Sequence, residues 1–135
     1  MSRPPQDVTD AELAVLEVLW ERGPSSRRQV ADVLYPGGQP AHYTTVQKLI
    51  ERLQAKGHVV CQAEAPVRLF TATVSRDELI SRRLLDVADK LCDGSLTPLL
   101  VNLVRAKPLS ERELQELREL IKELSKQQRR QGEKR

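Results

Sequence analysis

Cysteine and aromatic residues are both scarce in this chain of 135 residues. Its two cysteines, Cys61 and Cys92, are too few and too far apart for a disulfide framework or a metal-binding knuckle. Each is predicted to be a small buried apolar residue, and a redox-sensing thiol is the alternative for Cys61. Because aromatic side chains make up only 3% of the sequence, a core must rest on Leu, Val and Ile, which favours packed helices over a β-sandwich.

Long apolar runs are also absent. No stretch reaches the roughly 18 consecutive apolar residues that a membrane-spanning helix needs. The N-terminal "MSRPPQDVTD" lacks the apolar segment of a secretory signal. The sequence therefore predicts no membrane insertion and a cytoplasmic location.

Groups suited to catalysis are few. Only His42 and His58 could exchange protons near neutral pH, and there is no glycine-rich phosphate loop. His58 and Cys61 would point to opposite faces of a strand, which argues against a shared metal ion. We expect no enzymatic activity, no metal site and no cofactor.

Charge is unevenly distributed although the net value is only +3. From Arg22 to Arg68 the chain has seven basic residues and three acidic ones. One face of the first half is therefore predicted to be locally positive, as a surface that meets phosphates would be. An ordinary mixed surface is the alternative.

Four predicted helices begin with the same capping-box pattern, in which a hydroxyl residue is followed three positions later by Glu or Gln. These pairs predict helices over about residues 10–22, 27–34, from 75 onward and over 111–128. The pairs are Thr9 with Glu12, Ser26 with Gln29, Ser75 with Glu78, and Ser110 with Glu113.

A further helix and a hairpin complete the first half. The helix is predicted from about Ala41 to Ala55 and ends at Lys56-Gly57, a basic last turn followed by a left-handed C-cap. The β-branched runs "HVVCQA" and "VRLFTATV" follow, joined by a predicted turn at Glu64-Ala65-Pro66. The predicted fold class is mostly α with a small β-wing, with a winged helix-turn-helix domain in residues 1–74.

Residues 75–135 show only helical periodicity, which predicts a second, helical domain with a basic, frayed tail from residue 126. Its apolar side chains are too many for short helices to bury alone, so we expect a second copy of the chain to cover them. Folding back onto the first domain within a monomer is the alternative. The predicted dimerisation residues are Leu99, Leu103, Leu114, Leu117, Ile121 and Leu124.

The helix over residues 41–55 has two unlike sides. Val46, Leu49, Ile50 and Leu53 form an apolar stripe suited to a core. The other side is rich in threonine, which is unusual on a merely solvated helix because its helix propensity is low. This composition predicts contact with base edges or phosphates in a DNA major groove, with Glu51 as a mild objection. The side chains concerned are Tyr43, Thr44, Thr45, Gln47, Lys48 and Arg52.

A resemblance to the penicillinase-repressor family of transcriptional regulators covers about residues 8–124. It is carried by "TDAELAVLEVLWERGPSSRRQVADVL", "TTVQKLIERLQAKGHV" and "GSLTPLLVNLVRAKPLSERELQELRELI". The resemblance implies a winged-helix DNA-binding domain, a helical dimerisation domain and repression from a palindromic operator on double-stranded DNA. It places Thr44, Thr45, Gln47 and Lys48 on the recognition helix, with Arg52 beside the DNA backbone.

Departures from the family pattern concern regulation and the wing. Asn102-Leu103 matches the bond that a regulatory protease cuts in family members, where the second residue is usually Phe. The wing tip has Ala65-Pro66 where the family often has Gly-Arg, so Arg68 is expected to supply the phosphate contact. The cysteine-rich C-terminal motif of the copper-responsive branch is absent from the sequence.

Two other functions remain open at the level of sequence. A winged helix can serve protein contact, although such a face would be more apolar than the one around Lys48. A repressor could also sense a small molecule held between its lobes, a site that needs aromatic side chains. Trp20, Tyr35, Tyr43 and Phe70 are almost the whole supply of suitable side chains, which argues against such a site.

Overall fold

Helices dominate the fold, as the sequence predicts. The computed structural model describes residues 8–62 and 66–133, and the chain divides into two compact units, Met1–Leu84 and Leu85–Arg135. Within the described residues, no helix is both long enough and apolar enough to cross a membrane. The elements are α1 (Asp10–Arg22), α2 (Arg27–Leu34), α3 (Pro40–Ala55), β1 (Val59–Gln62), β2 (Leu69–Ala72), α4 (Arg76–Leu91), α5 (Thr97–Ala106) and α6 (Glu111–Glu133).

The capping residues begin the helices where the sequence predicts. At α1, the Thr9 hydroxyl accepts from the Glu12 N–H at 3.2 Å, and the Thr9 N–H donates to Glu12 Oε1 at 3.0 Å. The Ser26–Gln29 and Ser110–Glu113 pairs make the same two bonds. At α4, the Ser75 hydroxyl accepts from the Glu78 N–H at 3.0 Å.

The core of the first unit lies between α1, α2, α3 and the sheet. The apolar stripe of α3 is buried as predicted, because Val46, Leu49, Ile50 and Leu53 are each at most 5% exposed. Leu79 of α4 belongs to the same core cluster, which explains why the first unit extends beyond the predicted boundary at residue 74. The other main members are Val15, Leu16, Val18, Leu19, Val30, Val59, Phe70 and Val74.

The wing is a two-stranded antiparallel sheet in which Cys61 pairs with Phe70. A third segment is added at Ser25, which exchanges two backbone hydrogen bonds with Phe70, at 3.1 and 2.8 Å. The strands are shorter than the predicted runs 58–63 and 67–74. Residues 63–65 lie outside the described residues, and with them Glu64 and Ala65 of the predicted turn.

Helix α3 begins at Pro40, in agreement with the predicted start at about Ala41, because the fixed φ of proline suits the first helical position. Two predictions need correction. The tail predicted to fray from residue 126 is instead helical to Glu133, since Lys, Gln and Arg favour helix and no proline interrupts them. Cys61 and Cys92 are free thiols and are half-buried rather than fully buried.

Candidate nucleic-acid interface

The side of α3 opposite its buried stripe forms a polar surface that we call the α3 face. Thr44, Thr45, Lys48 and Arg52 are all exposed there, and Gln47 is half-buried. Tyr43 is also exposed, but it lies in the first turn beside the buried stripe, three residues before Val46. Because the stripe packs on the core, the helix cannot rotate about its axis without exposing apolar side chains. The α3 face is therefore held outward by the packing of the same helix.

The two threonines use their hydroxyl protons inside the helix. Thr44 Oγ1 donates to the Pro40 carbonyl at 3.3 Å, and Thr45 Oγ1 donates to the Ala41 carbonyl at 3.0 Å. Such bonds to the residue four positions earlier are common for Ser and Thr within helices. In this state each side chain offers a DNA base its methyl group and the acceptor capacity of its oxygen, and thymine methyl groups pack well on the former.

Lys48 and Arg52 give the α3 face its positive charge, and the Glu51 carboxylate reduces that charge. The Gln47 amide donates to Glu51 Oε1 at 3.4 Å, a long hydrogen bond between neighbours on one side of the helix. This contact gives the carboxylate a neutral partner within the helix. It also holds the Gln47 amide along the helix, so contact with a base requires that amide to swing outward.

A cavity of about 460 Å³ opens beside the N-terminal turn of α3. The rings of Tyr35 and His42 stack there, with centroids 4.3 Å apart and planes inclined by 6°. The sequence prediction missed this arrangement, because α2 and the loop before α3 provide half of it. The cavity is lined by Arg28, Ala31, Asp32, Tyr35, Gly38, Gln39, Pro40, His42, Tyr43 and Thr44.

A buried ion pair joins α1 to the C-terminal end of α3. Glu12 is 1% exposed, and the Lys56 ammonium lies 2.5 Å from its Oε1, while the Lys56 backbone caps α3. Burial by itself raises the pKa of Glu12, but the Lys56 ammonium and the Thr9 N–H outweigh it and lower that pKa below the usual 4.5. The pair therefore fixes the position of α3 relative to α1.

The wing presents Arg68 to solvent, immediately before β2. At the base of the wing, the Arg27 guanidinium lies over the Phe70 ring, 5.1 Å from its centroid. This cation–π contact links the first residue of α2 to β2. Arg68 is thus accessible for the predicted phosphate contact.

Apolar side chains are exposed throughout the second unit. Among its described residues only Ala88 is buried. Of the predicted dimerisation residues, Leu99 and Leu114 are half-buried, and the other four are 41% to 60% exposed. Leu120 on α6, which the prediction omitted, is 53% exposed and lies beside Leu117, Ile121 and Leu124 on the same side of the helix. Further exposed residues are Leu85, Leu91, Leu96, Leu100, Val101 and Val104.

The first unit has three packed helices, a β-hairpin after the third helix and a polar, basic α3 face. This combination defines a winged helix-turn-helix protein of the DNA-binding class. The chain belongs to the penicillinase repressor family, whose family model matches residues 8–123. The family assignment inferred from the sequence motifs is thereby confirmed. Membership in a family of DNA-binding transcriptional repressors also agrees with the prediction that the chain is not an enzyme.

Two penicillinase repressors are similar to this chain along most of its length. That of Bacillus licheniformis is 25% identical over 123 residues, covering 91% of this chain and 94% of that protein. That of Staphylococcus aureus is 20% identical over 120 residues, covering 89% of this chain and 94% of that protein. Among solved structures, the transcriptional regulator Tm0710 from Thermotoga maritima is 18% identical, with a TM-score of 0.47, covering 92% of this chain and 78% of that one.

Proposed function

We propose that this protein is a homodimeric, sequence-specific repressor that binds a palindromic operator through α3. The observation that carries the proposal is the two-sided character of α3, with one side buried and the α3 face exposed. A helix of this kind fits the major groove, where side chains from its N-terminal turns contact base edges. Thr44, Thr45, Gln47 and Lys48 are proposed to contact bases, and Arg52 and Arg68 phosphates.

The second unit supports the dimer. Exposed patches of large apolar side chains are costly in water, and a soluble protein covers them with a partner. On α6, Leu117, Leu120, Ile121 and Leu124 follow the i, i+3, i+4, i+7 spacing of a single helix face and are each at least 41% exposed. A second copy carries the same face and would cover it in a self-complementary interface. In the proposed complex, this interface sets the distance between the two α3 helices.

Proteolytic relief of repression is proposed at Asn102-Leu103 in α5. Both residues are exposed, and the Asn102 amide donates to the Pro98 carbonyl at 2.7 Å within the helix. A protease binds its substrate in an extended form, so α5 has to unwind locally before this bond can be cut. Cleavage would then separate α6 from the rest of the chain and weaken the dimer.

The proposal is tested by fluorescence anisotropy on two labelled duplexes across a salt series. One duplex carries an inverted repeat from the region upstream of the protein's own gene, and the other has the same composition in scrambled order. We expect a preference for the repeat of about a thousandfold and a steep loss of affinity with salt. Equal and weak binding to both duplexes would refute sequence-specific repression and favour a winged helix that binds protein.

A further inference from the structure

The N-terminus of α3 differs chemically from those of α1, α2 and α6. In those three helices the third residue is Glu12, Gln29 or Glu113, and its side-chain oxygen accepts the backbone N–H of the capping residue. In α3 the third residue is His42, and its Nδ1 accepts the Gln39 N–H at 3.1 Å. Imidazole can accept at Nδ1 only while that nitrogen is unprotonated. This cap is therefore lost when that nitrogen takes up a proton.

The imidazole is also held from two other sides. Its ring stacks on Tyr35, which caps the C-terminus of α2. Gly38 lies against the His42 ring and the backbone of Tyr35, and a Cβ at this position would be 2.8 Å from His42 Nδ1 and 2.8 Å from the Tyr35 carbonyl oxygen. The loop can close this tightly only because residue 38 has no side chain. His42 thus contacts the end of α2, the connecting loop and the first turn of α3.

The α3 face starts where that first turn ends. Tyr43 directly follows His42, and the Thr44 and Thr45 hydroxyls donate to the Pro40 and Ala41 carbonyls of the first turn. A change in the cap therefore reaches these three residues through the first turn. We propose that His42 is a positioning residue for DNA recognition, in which the neutral imidazole holds the first turn of α3 and its protonation releases that turn. This inference rests on the proposed function of α3.

Two electrostatic effects oppose each other at His42. A proton on Nδ1 removes the acceptor of the Gln39 N–H and places positive charge at a helix N-terminus, where it is unfavourable. A DNA phosphate near the cavity would instead favour the charged ring. The titratable and charged side chains that line the same cavity are Arg28, Asp32, Tyr35 and Tyr43. Arg28 and Asp32 carry opposite charges, so the balance lies between the effect of the cap and that of the phosphate, and the effect of the cap dominates.

The test compares the full-length protein with H42Q and H42A on the inverted-repeat duplex from pH 8 to pH 5.5 at constant ionic strength. The affinity of the wild type for the duplex should fall roughly three- to tenfold on acidification. This is the fold-change that corresponds to the loss of one capping hydrogen bond. H42Q should be insensitive to pH in this range, because glutamine supplies the cap in α2 without titrating. H42A should be weaker than H42Q at every pH. Fluorescence of Trp20 in each sample verifies that the first unit stays folded.

Two results would overturn the inference while leaving the proposed function intact. One is the same pH dependence in the wild type and H42Q. The other is a wild-type affinity that rises on acidification, which would indicate a phosphate contact by charged imidazole. Failure of the wild type to prefer the repeat at pH 8 would refute the proposed function, and the role of His42 with it.

Discussion

Lys48 is the residue at which contact with bases and contact with phosphates can be told apart. It is exposed on the α3 face, with Arg52 one turn further along the helix. A lysine that binds guanine contributes to the choice between sequences, whereas a lysine that binds phosphate strengthens binding to every sequence and releases a counterion. Binding measured on two sequences and at several salt concentrations separates these roles.

Replacement of Lys48 by alanine is expected to weaken operator binding by about 1–3 kcal/mol if the side chain contacts guanine. If it contacts phosphate instead, the slope of log affinity against log salt should fall by about one unit. Anisotropy titrations on the inverted repeat and the scrambled duplex measure both quantities. Lys122→Ala, an exposed lysine on α6, removes the same charge and is the control. If Lys48→Ala behaved like this control, α3 would not be the DNA-binding helix.

Among the elements, the position of α3 depends on a contact between residues distant in sequence. The Glu12 carboxylate accepts from the Thr9 N–H and binds the Lys56 ammonium, so one oxygen atom serves both the start of α1 and the end of α3. Since the pKa of Glu12 in the folded protein lies below 4.5, the carboxylate contributes stability above about pH 4.5. That contribution is lost as the pH falls further through the folded-state pKa.

Glu12→Gln is expected to reduce the free energy of unfolding by about 1–3 kcal/mol at pH 7, because the amide keeps the cap but loses its charge for Lys56. The difference from the wild type should shrink as the pH falls from 5 to 3. Urea denaturation followed by the fluorescence of Trp20 measures the first unit, since the Trp20 indole donates to Val74 there at 2.8 Å.

Glu113→Gln is the matched control for this experiment, because it changes a capping-box carboxylate in α6 of the second unit. It should leave the unfolding curve reported by Trp20 unchanged. A loss of stability in Glu12→Gln that stayed constant down to pH 3 would show that the ion pair is not the source of the effect.

These elements could be predicted where local interactions form them, and could not where contacts between distant residues form them. Capping boxes and apolar stripes are local patterns, so the first two helices and the buried side of α3 could be predicted from sequence. The contact of Glu12 with Lys56 and the stacking of Tyr35 on His42 depend on tertiary packing, and no local pattern indicates them. The extent of α6 was underestimated because its polar end has no stripe, although its helix propensity is high.

For the whole molecule, the central contrast is between a first unit with its own core and a second unit whose described residues bury only Ala88. The first unit buries aliphatic side chains from each of α1, α2 and α3. In α5, no residue is buried. This contrast supports the proposal that the first unit binds DNA and the second unit joins two copies.

The double substitution Leu117→Asp and Ile121→Asp is expected to give monomers with poor operator affinity, because it would place charges within the proposed interface. Sedimentation equilibrium measures the mass, and anisotropy on the inverted repeat measures the affinity. Gln127→Asp with Gln128→Asp adds the same charge at the polar end of α6 and should leave the dimer intact. A stable dimer of the Leu117/Ile121 variant would show that the interface lies elsewhere.

The central claim is that the two α3 helices of one dimer occupy neighbouring major grooves on the same side of the operator. The most direct test inserts about five base pairs, half a helical turn, between the two half-sites of the bound repeat. The control duplex carries the same insertion outside the repeat. We predict that the central insertion weakens specific binding by about a hundredfold or more, while the outer insertion has no effect. Equal affinity for the two duplexes would contradict a dimer that binds both half-sites through α3.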